Sequence, residues 1–286
     1  MPTEARKKLV VCADDYALTP GVSRAIRELI AAGRISATSV MTVARYWADE
    51  GPALAAIAGA ADIGLHLTLT DQVPLGPMPE LAPAGRLPPV GALVRASLLG
   101  RLPLSEIEAE IERQLAAFAA VWRRAPAHVD GHHHVHQLPG VRAALMKVLG
   151  RQIGPRPYLR SCHEPLTRIV TRGVARQKAV VISALGVGFR KSAAVHGFAT
   201  NDGFSGIYDL SAAPHSLDTL FAKFVRDIGP RPLMMCHPGY SDTTLAALDT
   251  MTAERDTELA FLASDGWEEV LAVAQVAVAP FRELPA

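Results

Sequence analysis

The stretch HVDGHHHVHQ, His128 to Gln137, gathers five of the chain's ten histidines and an aspartate within ten positions. Imidazole is the commonest protein metal ligand and titrates near neutrality, so such a run points to metal binding or proton transfer, unless it is a solvated loop or a fortuitous run. It lies mid-chain, ahead of Pro139 and the helical pattern GVRAALMKVLG, at a strand-to-helix junction where Pro139 is suited to open the helix.

Three further stretches carry chemistry. CADDYALTPG closes the first apolar run with Asp14 and Asp15, GLHLTLTD sets His66 in an apolar strand, and MMCHPGY ends another with His237. Neighbours on a regular strand point to opposite faces, but where the chain turns at a strand end both carboxylates can reach one mouth. One can then hold a cation while the other accepts a proton from water. Asp14-Asp15 reads equally as a cap for the next helix, His66 as a satisfied core residue, and His237 as a turn residue. Asp15, His66 and one histidine of the cluster make an Asp/His/His set that leaves positions open for water and substrate. The mouth so implied contains Asp14, Asp15, His66, Asp130, His132, His134 and His237. Gly131 is expected to end the strand before the cluster, and not all five of its histidines can be ligands.

The elements that must position these residues follow a repeating rhythm. KLVVCAD precedes GVSRAIRELIAAG, TSVMTV precedes an Ala-rich segment, and APAHVDGH precedes GVRAALMKVLG, the alternation of βα units around a parallel sheet. RPLMMCH reads as a buried strand and TAERDTELAFLAS as an amphipathic helix capped by Thr252. The region from Glu164 to Leu210 resists assignment. Without repeat or linker, the 286 residues, 49% of them apolar, suit one α/β domain over 1–286. Prolines at 74, 77, 79, 83, 88, 89 and 103 exclude continuous regular structure in an insertion at about 70–103, the length of a functional lid. LSEIEAEIERQLAAFAAVWRR resumes helical periodicity after a Ser105 cap.

A net charge of +1 from 29 basic and 28 acidic residues provides no basic stripe for nucleic acid and no polybasic membrane anchor. The apolar runs VVISALGVGF and VLAVAQVAVAPF are too short or interrupted to span a bilayer, the second reading as a buried helix or an interface, as in a homodimer. MPTEARKKLV lacks the features of a signal peptide, and three widely spaced cysteines, Cys12, Cys162 and Cys236, suit reduced packing thiols in a cytoplasmic protein.

Together VCADDYALTPGV, IGLHLTLT, HVDGHHHVH and LMMCHPGY resemble the YdjC-like carbohydrate deacetylases, the chitooligosaccharide deacetylase type, with GFSGIYDL and AERDTELAFLAS similar to later landmarks. The resemblance implies a distorted (β/α) barrel, TIM-barrel-like and related to NodB-type polysaccharide deacetylases, removing acetyl from an N-acetylated sugar with one divalent metal ion. It implies Asp15, His66 and His132 as metal ligands, Asp14 as base, His237 as general acid, and Arg160 orienting Asp14 or holding substrate. Mixed ligands suit Zn2+ better than Mg2+, although magnesium is common in the family. The family's usual Phe-Gly after the aspartates is Tyr16-Ala17 here. Roles for His133, His134 and His136 stay open, as do a phosphoesterase or sugar isomerase on such a barrel and a non-catalytic metal- or sugar-binding regulator.

Overall fold

Eight of the ten residues of KKLVVCADDY are buried, the near-continuous apolar pattern of a strand covered on both faces, and this strand is the centre of the sheet. The computed structural model describes residues 6–208 and 217–285. Its strands are β1 (Lys7–Tyr16), β2 (Ala37–Val40), β3 (Asp62–Leu67), β4 (His128–Gly131), β5 (Tyr158–Leu159), β6 (Phe204–Ser205), β7 (Leu233–Cys236) and β8 (Val276–Val278). Its helices are α1 (Pro20–Ala31), α2 (Trp47–Glu50), α3 (Val90–Leu98), α4 (Leu104–Trp122), α5 (Val141–Arg151), α6 (Leu166–Arg172), α7 (Arg176–Val195), α8 (Leu217–Val225), α9 (Thr243–Ala246), α10 (Ala253–Ala263) and α11 (Asp265–Val273).

The sheet runs β5-β4-β3-β2-β1-β7-β6 with parallel ladders, and β8 pairs with the start of β1. It curls until Leu159 of β5 bridges Thr200, four residues ahead of β6, so its two ends meet as a distorted α/β barrel. Alternation sorts the residues of β1: Leu9, Val11 and Ala13 join the layer under the helices, while Val10 and Cys12 join a second cluster inside the curl with Tyr158, Phe204, Leu233 and Met235. Tyr158 stacks on Phe281 at 3.8 Å and on His128 at 5.0 Å, filling the interior. One period-2 step further along the same strands the inward residues become polar: Asp14, Ser39, His66, Asp130 and, just beyond β5, Arg160.

The elements differ from the sequence reading in several places. The insertion is turn-rich only to residue 89 and then forms α3, because Val90 to Leu98 holds no proline. It is anchored to α4, whose Glu106 accepts the N–H groups of Glu80 and Leu81 at 2.9 Å and whose Glu110 accepts that of Leu75 at 3.0 Å. Helix α4 starts at Leu104 behind Pro103, with no side-chain bond from a cap, instead of being capped by Ser105. Thr252 occupies the N-cap position of α10 without a capping bond. Helix α5 starts at Val141, two residues after Pro139. VLAVAQVAVAPF divides into the end of α11 and β8 at Gln275, which has φ 54°, instead of forming one helix. The segment from Glu164 resolves into α6, α7 and β6, while Asp209 and Leu210 lie outside the described residues. No helix among the described residues is long and apolar enough to cross a membrane.

Gly64 of β3 makes room for the His128 ring, since a Cβ there would lie 2.4 Å from its Nε2. With that ring already held against Tyr158, Gly64→Ala is expected to cost about 1–3 kcal/mol in urea unfolding. Gly59→Ala, where a Cβ meets nothing within 4 Å, should show no such overpacking cost in the same titration.

Candidate active site

The pair Asp14-Asp15 owes its geometry to one backbone corner. Asp15 has φ 67° and the β1–β2 register shifts between Ala13 and Tyr16, so β1 stops alternating and both carboxylates reach the mouth. Leu18 N–H donates to the Asp15 carbonyl at 3.0 Å to close the turn. Helix α1 is capped by Thr19, whose Oγ1 accepts from Val22 N–H at 3.2 Å, which leaves the aspartates free of capping. Tyr16 uses the hydroxyl that Phe would lack, donating to the Glu50 carbonyl at 2.7 Å and accepting from Arg27 at 2.8 Å. Ala17 adopts φ 74°, a region that favours glycine.

Asp15 Oδ1 lies 3.1 Å from His132 Nδ1 and 3.3 Å from His66 Nε2. Donors at about 2.1 Å from a common ion stand roughly 3.0–3.4 Å apart, so these three side chains fit one divalent cation. His66 Nδ1 is bonded to Asp130 Oδ1 at 2.7 Å, the carboxylate–imidazole arrangement that turns Nε2 toward a metal. Burial works against charge on His66, but Asp130 and then Asp14 overcome it and raise its pKa to about 10; a bound cation must displace that proton. Burial likewise pushes the Asp15 carboxyl up, yet Arg255 and the hydrogen bonds from His132 and His66 hold it well below the usual range. Arg255 Nη2 donates to Asp15 Oδ2 and to Asp249 Oδ2, each at 2.6 Å.

Beneath this set lies Arg160, with no exposed surface. It grips both oxygens of Asp14 at 2.5 and 2.7 Å, pairs with Asp130 Oδ2, and donates to Cys12 Sγ at 3.1 Å. Its guanidinium, fully buried, spends its bonds on Asp14, Asp130 and Cys12. The register Ala13↔Cys236 sets His237, at the end of β7, level with Asp14. His237 N–H donates to Glu258 Oε2 at 2.5 Å, and its Nδ1 has no partner among the described residues.

The remaining histidines of the cluster separate because His133 and His134 take φ 52° and 58° just beyond β4. His132 faces Asp15, and His133, 39% exposed, meets Thr70 Oγ1 of the insertion at 3.0 Å. His134 Nδ1 lies 3.5 Å from Cys162 Sγ, and His136 Nε2–H donates to the Arg160 carbonyl at 2.8 Å. His128 is wholly buried under the site. Burial, above all, lowers His133 and His136 to about 4 and pushes His134 down as well, which disfavours positive charge on these three imidazoles. Sequence reasoning placed Asp130 in the mouth without a role and did not single out Arg255, Asp249 or Glu258. Arg255 and Glu258 lie in AERDTELAFLAS, a landmark of the resemblance that reads as an amphipathic helix, while Asp249 falls outside every stretch singled out.

Replacing Arg160 by Met leaves Asp14 and Asp130 buried without their shared countercharge. The expected loss of unfolding free energy at neutral pH is about 3–5 kcal/mol, read from urea titrations followed by circular dichroism.

The profile of the YdjC-like protein family matches residues 8–273. A chitooligosaccharide deacetylase of Serratia marcescens is 39% identical over 136 residues, 47% of this chain and 53% of that protein. A human carbohydrate deacetylase is 36% identical over 141 residues, 48% of this chain and 43% of that protein. The chain spans about half the length of the curated relatives it matches. A crystal structure from Enterococcus faecalis V583, described as a candidate cellobiose-phosphate cleavage protein, superimposes with a TM-score of 0.73 at 22% identity. That likeness covers 97% of this chain and 98% of the other, and the two share a fold. With the profile spanning every element from β1 to α11, and all four signatures meeting at one mouth, the chain belongs to the YdjC-like protein family.

Proposed function

We propose that this protein is a metal-dependent hydrolase that removes the acetyl group from an N-acetylated sugar. The observation that carries the reading is the convergence of Asp15, His66 and His132 beside Asp14, a carboxylate fixed by Arg160 and outside that ligand set. The names of the Serratia and human relatives, a chitooligosaccharide deacetylase and a carbohydrate deacetylase, support the same chemistry and suggest the substrate class. Asp15, His66 and His132 would hold the cation. Two imidazoles and one carboxylate oxygen favour Zn2+ or another first-row transition metal over Mg2+, which prefers oxygen donors and water.

A divalent cation held there supplies Lewis acidity, polarising the acetyl carbonyl and acidifying water at neutral pH. Asp14 accepts a proton from the attacking water, whose oxygen bonds to the acetyl carbon; Arg160 and the Ser39 hydroxyl, 3.4 Å from Asp14 Oδ1, keep the carboxylate in place for that transfer. As the C–N bond breaks, His237 delivers a proton to the departing nitrogen, giving a free amine and acetate. The insertion, tied to the mouth through Thr70 and His133, supplies part of the wall that the sugar meets.

Phosphoryl transfer is less well supported by this mouth. Arg160 and Arg255 are both buried and committed to aspartates, which leaves neither to clamp a phosphate.

Asp14→Asn keeps the shape of the side chain but cannot accept the proton. It should retain metal by elemental analysis while losing on the order of 10²–10⁴ in turnover on N-acetylated chitooligosaccharides, with acetate release as the assay. Asp15→Asn should instead lose metal first. An Asp14→Asn protein that is fully active with metal bound, or a wild-type protein that releases no acetate from any N-acetylated sugar with Zn2+, Mn2+ or Mg2+, would overturn the reading.

A further inference from the structure

Helix α10 touches the site at two points one turn apart. Arg255, 1% exposed, holds Asp15 Oδ2 from one side and Asp249 from the other. Three residues on, Glu258 is equally buried, its Oε2 accepting the His237 N–H and its Oε1 the Tyr208 hydroxyl. Residues i and i+3 are neighbours on one helix face, so the fixed spacing of α10 is imposed between a carboxylate of the ligand set and the strand end that carries His237. The same loop is joined again where Gly239 N–H donates to the Arg255 carbonyl at 3.2 Å.

We propose that Arg255 and Glu258 are positioning residues: Arg255 sets the metal affinity by locking Asp15, and Glu258 aligns His237 with the cation. The proposal rests on the reading of Asp15, His66 and His132 as a metal site. By occupying Oδ2, Arg255 leaves Asp15 to offer Oδ1 alone, already within 3.1–3.3 Å of both imidazole donors. The charge of Arg255 alone would repel a nearby dication, so removing it would tighten metal binding. Positioning predicts the opposite sign.

The test uses the full chain, stripped of metal and titrated with Zn2+ by calorimetry, with circular dichroism to verify folding. Arg255→Ala should weaken Zn2+ binding about 10–100-fold, the usual cost of removing a group that orients a ligand, and Arg255→Lys should recover part of it. Asp249→Asn, which loosens the clamp from its 22% exposed side, should show a smaller loss. Glu258→Gln should bind Zn2+ within about twofold of wild type but lower kcat at saturating metal with KM unchanged. Unchanged or tighter binding by Arg255→Ala overturns the proposal, as does a Glu258→Gln protein that loses Zn2+ affinity as Arg255→Ala does or keeps full kcat. Should Arg255→Ala fail to fold, unchanged affinity in Asp249→Asn overturns it instead. A wild-type chain that binds Zn2+ but deacetylates nothing sinks the proposed function while the affinity comparison still stands, whereas one that binds no Zn2+ ends both.

Discussion

The contact on which this site depends is buried and faces no ligand: Arg160 shared between Asp14 and Asp130. Two carboxylates inside a barrel would repel each other and lose their hydration, and a lone guanidinium there would be as costly. Together they form a cluster in which each charge has an opposite at hydrogen-bond distance. Asp130, fixed from below, turns His66; Asp14, fixed in the same way, is held beside Asp15, His66 and His132. His136 adds a hold on the Arg160 backbone, so a histidine without evident chemistry supports the residue that supports the rest.

Much of this was legible in the sequence because strands write their geometry with period 2. Cys12 and Asp14, Ala37 and Ser39, Gly64 and His66, His128 and Asp130 are successive inward positions, and in each pair the second stands nearer the mouth. Reading the polar residue at each strand end therefore collected side chains that the structure brings together. What stayed hidden depends on long-range pairing. Arg255 and Glu258 sit in TAERDTELAFLAS, where charges among apolar residues look like a solvated face, and only the docking of α10 against the β7 loop turns them inward. Glu106 and Glu110 were hidden in the same way, since nothing local shows that their carboxylates receive backbone N–H groups of the insertion.

The histidine run needed a backbone feature that residue types do not announce. Consecutive histidines on a strand would alternate between two faces, whereas His132, His133 and His134 serve three surroundings because two of them adopt left-handed conformations. For non-glycine residues that geometry costs about 1–2 kcal/mol each. It is met again at Asp15 and Ala17 across the mouth. Strain of this kind persists where the surrounding structure dictates it, and four of the nine such residues among those described, Asp15, Ala17, His133 and His134, stand at this mouth.

The stacked rings of His128, Tyr158 and Phe281 have a consequence for traffic. They fill the barrel beneath Arg160, on the side away from the mouth. Under the proposed reaction, water and sugar would enter, and amine and acetate leave, at the mouth above these rings. The acetyl group would be the part of the proposed substrate that reaches Asp15, His66 and His132, with the sugar above it. In that reaction the deacetylated sugar, lying above the acetyl group, would leave before acetate, and acetate still in place would occupy ground that the next acetyl group requires.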